Sequence, residues 1–240
     1  MSRKQQLLKR HRRTKRIALL VGLLLLLLVG VLVAWWLPVL LAITVHETAH
    51  GWVALHFGDR TAQMQGRLTL NPIKHIDPVG TILVPGLMLL LPVGFVFGWA
   101  KPVPIDWRNL RNPRRDMVLV AAAGPLSNLL MAIGWGLLAK LAEFLPGSLN
   151  MIALPIIYMG LFGIFINVIL MVFNLIPIPP LDGGRVAVGL LPPSMAQGLS
   201  RLEPYGLLII VALLATGILW NFIAPVVQVV MQFINLITGL

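Results

Sequence analysis

The run from Ile17 to Phe57 sets the first limit on what this chain can fold into. It is apolar almost throughout. At about 1.5 Å per residue, one straight helix over it would be roughly 60 Å long, about twice the thickness of a bilayer core. A turn is therefore expected inside it, at Trp35-Trp36-Leu37-Pro38, where the aromatics suit a membrane interface and the proline suits the first turn of a new helix. The reading is one span near 17–35 and a second near 38–57, closed by Gly58-Asp59.

The rest of the chain agrees with a lipid setting. Only 11% of its 240 residues are charged, 58% are hydrophobic, and the mean hydropathy is +0.89. Soluble domains are charged at about a quarter of positions, so a soluble globular protein is excluded, and so are disorder and a coiled coil. The remaining charge is lopsided, at +11. Eight basic residues (Arg3, Lys4, Lys9, Arg10, Arg12, Arg13, Lys15, Arg16) precede the apolar run directly. That position marks an orientation signal held in the cytoplasm rather than a nucleic-acid contact. A signal peptide is the competing reading, but Ile17–Val45 exceeds the length of such a core and no small-x-small site ends it. The expected organisation is a basic cytoplasmic leader, 1–16, and a single membrane-embedded domain, 17–240, in the cell membrane.

Basic residues also flank a broken apolar segment. Residues 59–78 carry Arg60, Arg67 and Lys74, and 101–116 carry Lys101, Arg108, Arg111, Arg114 and Arg115. The positive-inside rule puts both in the cytoplasm. Between them, Val79–Trp99 is interrupted by Pro85, Gly86, Pro92, Gly94 and Gly98. A segment with both flanks on one side dips in and returns, and irregular backbone at that depth must line a cavity or be covered by protein. A plain spanning helix is the alternative. Asp116–Leu141 and Ile152–Ile176 read as further spans, and Tyr205–Leu240 as two short spans or one span with a tilted tail. The fold class expected is an all-α polytopic membrane protein of about five to six transmembrane helices, with a re-entrant hairpin and short extended segments near the cytoplasmic face.

The chain has no cysteine, so a metal would have to be held by His, Asp or Glu. In the second expected span stands His46-Glu47-Thr48-Ala49-His50. Positions i and i+4 share a helix face, so His46 and His50 can aim two imidazoles at one ion with Glu47 beside them, the arrangement of a zinc protease in which the glutamate is the general base. Histidines and an acid in mid-membrane are costly unless paired or coordinated. Catalytic zinc usually takes three protein ligands, and Asp182 is the best third. It is the one acid between Glu143 and Glu203, and it follows the helix-breaking Pro177-Ile178-Pro179-Pro180 and precedes Gly183-Gly184. A helix N-cap is its plainer role. Pro177–Gly184 is expected to be non-helical, with Arg185 partly buried or snorkelling.

The chain resembles the site-2 protease family of intramembrane zinc metalloproteases. The resemblance rests on His46–His50, on Asn174-Leu175-Ile176-Pro177-Ile178-Pro179-Pro180-Leu181-Asp182-Gly183-Gly184, on Gly66-Arg67-Leu68-Thr69-Leu70-Asn71-Pro72 with His75-Ile76-Asp77-Pro78, on Gly98–Pro104, and on Gly124-Pro125-Leu126-Ser127-Asn128, all in the family's order. It implies that Zn2+ is bound by His46, His50 and Asp182, that Glu47 is the general base, and that Asn128 helps polarise the scissile carbonyl or its oxyanion. It also suggests that Lys101-Pro102-Val103-Pro104 holds an unwound substrate as an added strand. Its implied substrates are membrane-anchored proteins, such as single-span regulators or signal-peptide remnants.

By residue count, His46 and Asn128 lie at a shared depth, roughly 16–18 Å from the same membrane face. On residues alone Asn128 is equally an interhelical hydrogen-bonding group, Asn174 a helix cap, and His75 and Asp77 parts of an interfacial turn. Two other functions use the same groups: an ion or proton transporter, which would lack stoichiometric zinc, and a catalytically inactive membrane scaffold, which would bind without cleaving.

Overall fold

The computed structural model describes residues 3–91 and 97–240. Nine α-helices are present among them: α1 (Arg3–His56), α2 (Thr61–Met64), α3 (Val84–Leu90), α4 (Pro113–Glu143), α5 (Asn150–Asn174), α6 (Asp182–Leu190), α7 (Pro193–Ser200), α8 (Glu203–Ala215) and α9 (Ile218–Thr238). Four stretches are long and apolar enough to cross a membrane: Leu32–His56, Pro113–Glu143, Gly147–Asn174 and Ile218–Thr238. The bent pair α7 and α8, which meet at 66°, makes a fifth if it forms one span. This is a multi-pass helical membrane protein with four to five candidate spans, at the lower edge of the number the sequence suggested.

The expected turn at Trp35–Pro38 is absent. Helix α1 runs unbroken through Pro38, whose ring is fully buried. A proline removes one hydrogen bond from a helix interior, and in a membrane protein neighbouring helices cover the gap; α1 packs there on α4 and α5. Residues 3–16 of the basic leader are therefore the first turns of α1 rather than a separate segment. A continuous helix also puts the leader and the 59–78 loop at opposite ends, so a helix that crosses once cannot keep both in the cytoplasm. In this cysteine-free chain, single cysteines at Gln6 and Gln63 are expected to react with an impermeant maleimide from opposite sides of the membrane. Labelling from one side would restore the turn.

Helix α4 is the hub. It packs along α5, α1, α6 and α9, around a core of Ala132, Trp135, Ile164, Val168, Met171, Ile210, Ile223 and Ile234. Small residues set the closest approach. A Cβ on Gly163 would meet the Trp135 ring at 2.4 Å, and one on Gly160 would meet the Ala139 methyl at 2.7 Å, the close backbone contact by which helices pack in lipid. The outward faces stay apolar, with Leu24, Leu130, Leu141, Leu208 and Phe222 all more than half exposed. Such a surface suits hydrocarbon rather than water.

Between α2 and α4 the chain is irregular. The Val79–Trp99 segment becomes a wide helical turn, Pro78–Leu83, followed by α3, and its breaks at Pro92 and Gly94 lie outside the described residues. Its two ends meet: the Trp99 N–H donates to the Gly80 carbonyl at 3.0 Å, the Thr81 hydroxyl donates to the Trp99 carbonyl, and the Trp99 indole lies where a Cβ on Gly80 would stand. No strand forms among the described residues, and 97–106 has no regular structure.

Candidate metal centre

The site is assembled on a stripe of α4. Val120, Gly124 and Asn128 recur every four residues and so share one helix face, and each meets one part of the histidine pair. The Val120 carbonyl accepts from His50 Nδ1 at 2.7 Å. Asn128 Oδ1 accepts from His46 Nδ1 at 2.5 Å. Gly124 between them leaves the rings their space, since a Cβ there would lie 2.4 Å from His50 Nε2 and 2.6 Å from His46 Nε2. Both rings are 93% buried and cross almost perpendicularly, at 85°.

Asp182 arrives from the other side. Contrary to the expectation of a non-helical Pro177–Gly184, the irregular stretch stops at Leu181, and Asp182 opens α6. A carboxylate in the first helical turn faces the positive end of the helix dipole. Gly183 and Gly184 let that turn seat on the 175–179 backbone: a Cβ on Gly183 would come within 2.2 Å of the Leu175 carbonyl oxygen, and one on Gly184 within 2.2 Å of the Pro179 nitrogen. The far end of α6 is tied to α4 by Arg114, whose guanidinium donates to the Gly189 and Leu191 carbonyls. Arg185 is 29% exposed, pairs with Glu203 at 3.1 Å, and stacks over the Trp107 ring, so it is partly buried as expected.

Three atoms converge as a result. His46 Nε2 and His50 Nε2 are 3.1 Å apart, and Asp182 Oδ2 lies 3.1 Å from the first and 3.3 Å from the second. Because each Nδ1 faces an acceptor, it carries the ring proton, which leaves the Nε2 lone pairs pointing at each other and at the carboxylate. Asp182 Oδ2 is buried and accepts no hydrogen bond. Three facing lone pairs repel unless a cation lies among them. Donors bound tetrahedrally at about 2.0–2.1 Å stand roughly 3.3–3.4 Å apart, and two imidazoles with one carboxylate are a familiar donor set for Zn2+. The residues present fit that ion. They are also the one group of three or more His, Asp or Glu side chains with metal-binding spacing among the described residues.

Glu47 sits beside the trio, half-buried, and its Oε2 accepts from the Val103 N–H at 2.8 Å. The Lys101–Pro104 segment thus lies directly against it, with the Val103 side chain packed where Gly51 leaves room.

Among known proteins, the chain is 42% identical over 181 residues to "Putative zinc metalloprotease YwhC" of Bacillus subtilis, an alignment covering 75% of this chain and 79% of that one. The chain belongs to this zinc metalloprotease family. "Putative zinc metalloprotease Rip2" of Mycolicibacterium smegmatis is 33% identical over 79% of this chain and 69% of its own length. "Putative zinc metalloprotease MJ0611" of Methanocaldococcus jannaschii is 42% identical over 43% of this chain and 49% of its own. No family model matches the chain, and no solved structure matches it.

Within this metalloprotease frame, Asn128 stands differently from the role implied by resemblance. Its amide is fully buried behind His46, with the oxygen on the imidazole and the nitrogen on the Ala42 carbonyl and on Asn167 Oδ1. All of its hydrogen bonds here run to His46, Ala42 and Asn167. His75 and Asp77 form the interfacial turn: His75 Nε2 donates to the Thr69 carbonyl, and Asp77 accepts from the Val79 and Gly80 N–H groups. Asn174, expected as a helix cap, instead bonds back to the i−4 carbonyl of Leu170 in the last turn of α5, while Leu175 stands at the C-cap position. Sequence reasoning did not single out Val120 or Asn167, and it took in Gly124 only as part of the Gly124–Asn128 motif, with no role of its own. The spacing of four from Val120 to Asn128 was the available signal.

Two further residues hold the chain between Lys101 and Asn109. The Arg67 guanidinium donates to the Lys101 and Pro102 carbonyls at 3.0 and 3.2 Å. Asp59, 1% exposed, accepts from the Asp106 N–H, the Asn109 amide, and the Thr61 hydroxyl and N–H. Burial would raise the Asp59 pKa, but the Thr61 hydroxyl, the Asn109 amide and then the two N–H groups outweigh it and hold the carboxyl below its ordinary value. The stability this adds is complete above the unfolded pKa of about 3.9 and is lost as pH falls through the lower folded value. Asp59→Ala is expected to lower the melting temperature of detergent-solubilised protein at pH 7, with the deficit shrinking below about pH 4. A deficit equal at pH 7 and pH 3 would contradict this.

Proposed function

We propose that this chain is an intramembrane zinc metalloendopeptidase of the site-2 protease kind. Its substrates in this reading are membrane-anchored proteins, single-span regulators or signal-peptide remnants, cut within or near their transmembrane segments. The observation that carries the reading is the convergence of His46 Nε2, His50 Nε2 and Asp182 Oδ2 within 3.1–3.3 Å, with Glu47 beside them on a helix apolar enough to span a membrane.

Zinc held by these three side chains supplies the Lewis acidity that polarises a peptide carbonyl and acidifies water. Glu47 takes a proton from the attacking water and gives it to the leaving amine. With Oε2 held by the Val103 N–H, the proton is carried on Oε1. His46 and His50, each locked through Nδ1, keep their rings fixed while charge develops, so little reorganisation is required of the site.

The substrate path in this proposal is the broken segment. The return of Trp99 to Gly80 supports a re-entrant hairpin over Pro78–Trp99, and the segment that follows it reaches Glu47. Prolines at 102 and 104 have no N–H to donate, and Arg67 occupies the Lys101 and Pro102 carbonyls, so the proline carbonyl that Lys101-Pro102-Val103-Pro104 offers a neighbouring chain is that of Pro104. An unwound substrate would supply the N–H group, in the manner of strand addition. In this reading the protein sits in the cell membrane with the eight basic residues of the leader at the cytoplasmic face, and a once-crossing α1 then carries the 59–78 loop to the opposite side.

The test is quantitative membrane proteomics comparing cells carrying the wild-type chain with cells carrying Glu47→Gln. One or more single-span proteins are expected to accumulate uncut in the variant. No difference in any membrane protein, from a wild-type chain that purifies without zinc, would overturn the reading.

A further inference from the structure

An amide pair lies buried behind the metal centre, and only one of its members was noticed in the sequence. Asn128 on α4 and Asn167 on α5 are both 0% exposed, among helices whose other contacts are apolar. Buried amides in such surroundings are costly unless each group finds a partner, and the partners here form a directed chain. Asn167 Nδ2 donates to the Gly163 carbonyl at 2.8 Å. Asn167 Oδ1 accepts from Asn128 Nδ2 at 2.9 Å, which also donates to the Ala42 carbonyl at 3.2 Å. Asn128 Oδ1 accepts from His46 Nδ1.

The direction of this chain is fixed at its far end. The Gly163 and Ala42 groups are backbone carbonyls, which accept and cannot donate. The Asn167 atom facing Gly163 must therefore be nitrogen, and its other atom oxygen. That oxygen, together with the Ala42 carbonyl, requires nitrogen on the facing side of Asn128, so oxygen faces His46. His46 Nδ1 must then hold the proton, and its Nε2 lone pair points at the metal position. His50 needs no such relay, because a backbone carbonyl, Val120, faces its Nδ1 directly. At the height of His46, α4 presents a side chain that could turn either way.

We infer that Asn167 is a positioning residue for the metal centre: acting through Asn128, it sets the His46 tautomer that leaves Nε2 free to bind zinc. Without it, Asn128 keeps only the longer 3.2 Å bond to the Ala42 carbonyl to hold its nitrogen away from His46, so the preference against the flipped amide weakens and the second orientation gains population. This rests on the zinc reading above. Outer partners of metal-ligating histidines are typically worth about 10–100-fold in metal affinity.

The test measures zinc affinity of the purified full chain by chelator competition, independently of proteolysis. Asn167→Leu, close in volume and at home among apolar helices, is expected to bind zinc roughly tenfold or more weakly than wild type. In the metal-free protein, the 15N signals of His46 should change from a single Nδ1–H form to a mixture. Asn174→Leu, which alters another asparagine of α5 without touching the relay, should leave both readouts at their wild-type values. Asn167→Thr provides the rescue, because its hydroxyl can donate to the Gly163 carbonyl and turn its lone pairs to Asn128. It should bind zinc within about threefold of wild type and keeps the test informative if the leucine variant is recovered poorly. Three results would each overturn the inference: wild-type affinity in Asn167→Leu, equal losses in Asn167→Leu and Asn174→Leu, or a threonine variant as weak as the leucine one. A wild-type chain that binds no zinc would instead defeat the zinc reading itself.

Discussion

Glu47→Gln is expected to keep its zinc and lose peptide-bond cleavage by roughly two to four orders of magnitude, the range that general-base catalysis contributes. The substitution is nearly isosteric, and the amide oxygen can still accept from the Val103 N–H that holds Oε2 at 2.8 Å. The Lys101–Pro104 segment therefore keeps its place. The three converging atoms on His46, His50 and Asp182 are untouched, so metal content should match the wild type. What disappears is the only feature of the side chain that chemistry requires, an oxygen able to take a proton and give it back. Zinc analysis and cleavage of a single-span reporter, measured on one preparation, check both halves. Retained cleavage would remove Glu47 from the mechanism, and lost zinc would make it a ligand.

Gly124→Ala should do the reverse, emptying the centre while leaving Glu47 intact. The added methyl would stand 2.4 Å from His50 Nε2 and 2.6 Å from His46 Nε2, at the lone pairs themselves. Flexible rings elsewhere could swing aside, but these cannot do so cheaply. His46 is bonded to Asn128 and His50 to the Val120 carbonyl, both on the same helix as Gly124. Moving α4 away to admit the methyl breaks both bonds, and moving the rings breaks the triangle. Zinc affinity is expected to fall by about a hundredfold or more, beyond the cost of losing one outer partner, with cleavage lost alongside. Alanine also favours helix over glycine by roughly 1 kcal/mol, so the helix itself gains and the loss is assignable to the site. Zinc content equal to wild type would show that the rings are not confined as described.

The parts of this centre that lie close together in sequence were the legible ones. His46, Glu47 and His50 could be placed on one face because a spacing of four is a property of the helix alone. Asp182 could be reached by scarcity, since few acids exist in so apolar a chain and a buried one needs a partner. The residues that were misread or missed act through backbone. The Val120 carbonyl leaves no trace in the identity of its residue, and Gly124 matters for the methyl it lacks. Asn167 looked like any polar residue in a span until its partner on α4 was known. Asn128 was visible, but which way its amide faces depends on Ala42 and Asn167, both far away in the chain. The turn expected at Pro38 failed for a similar reason: a proline breaks a helix in isolation, whereas here its ring is buried in a helix that packs on α4 and α5.

The sequence by itself determined that this chain belongs in lipid and carries one histidine pair on a shared helix face with a glutamate between them, because composition and helical periodicity are local and need no fold to act. Tertiary structure alone decided that Asp182 reaches that pair from a helix start, that α4 supplies the Nδ1 partners of both histidines, and that the Asn128 amide faces the Nδ1 side of His46. Those outcomes depend on which backbone groups and amides meet across helices, and hydrogen-bond direction is settled only when donor and acceptor are both in place.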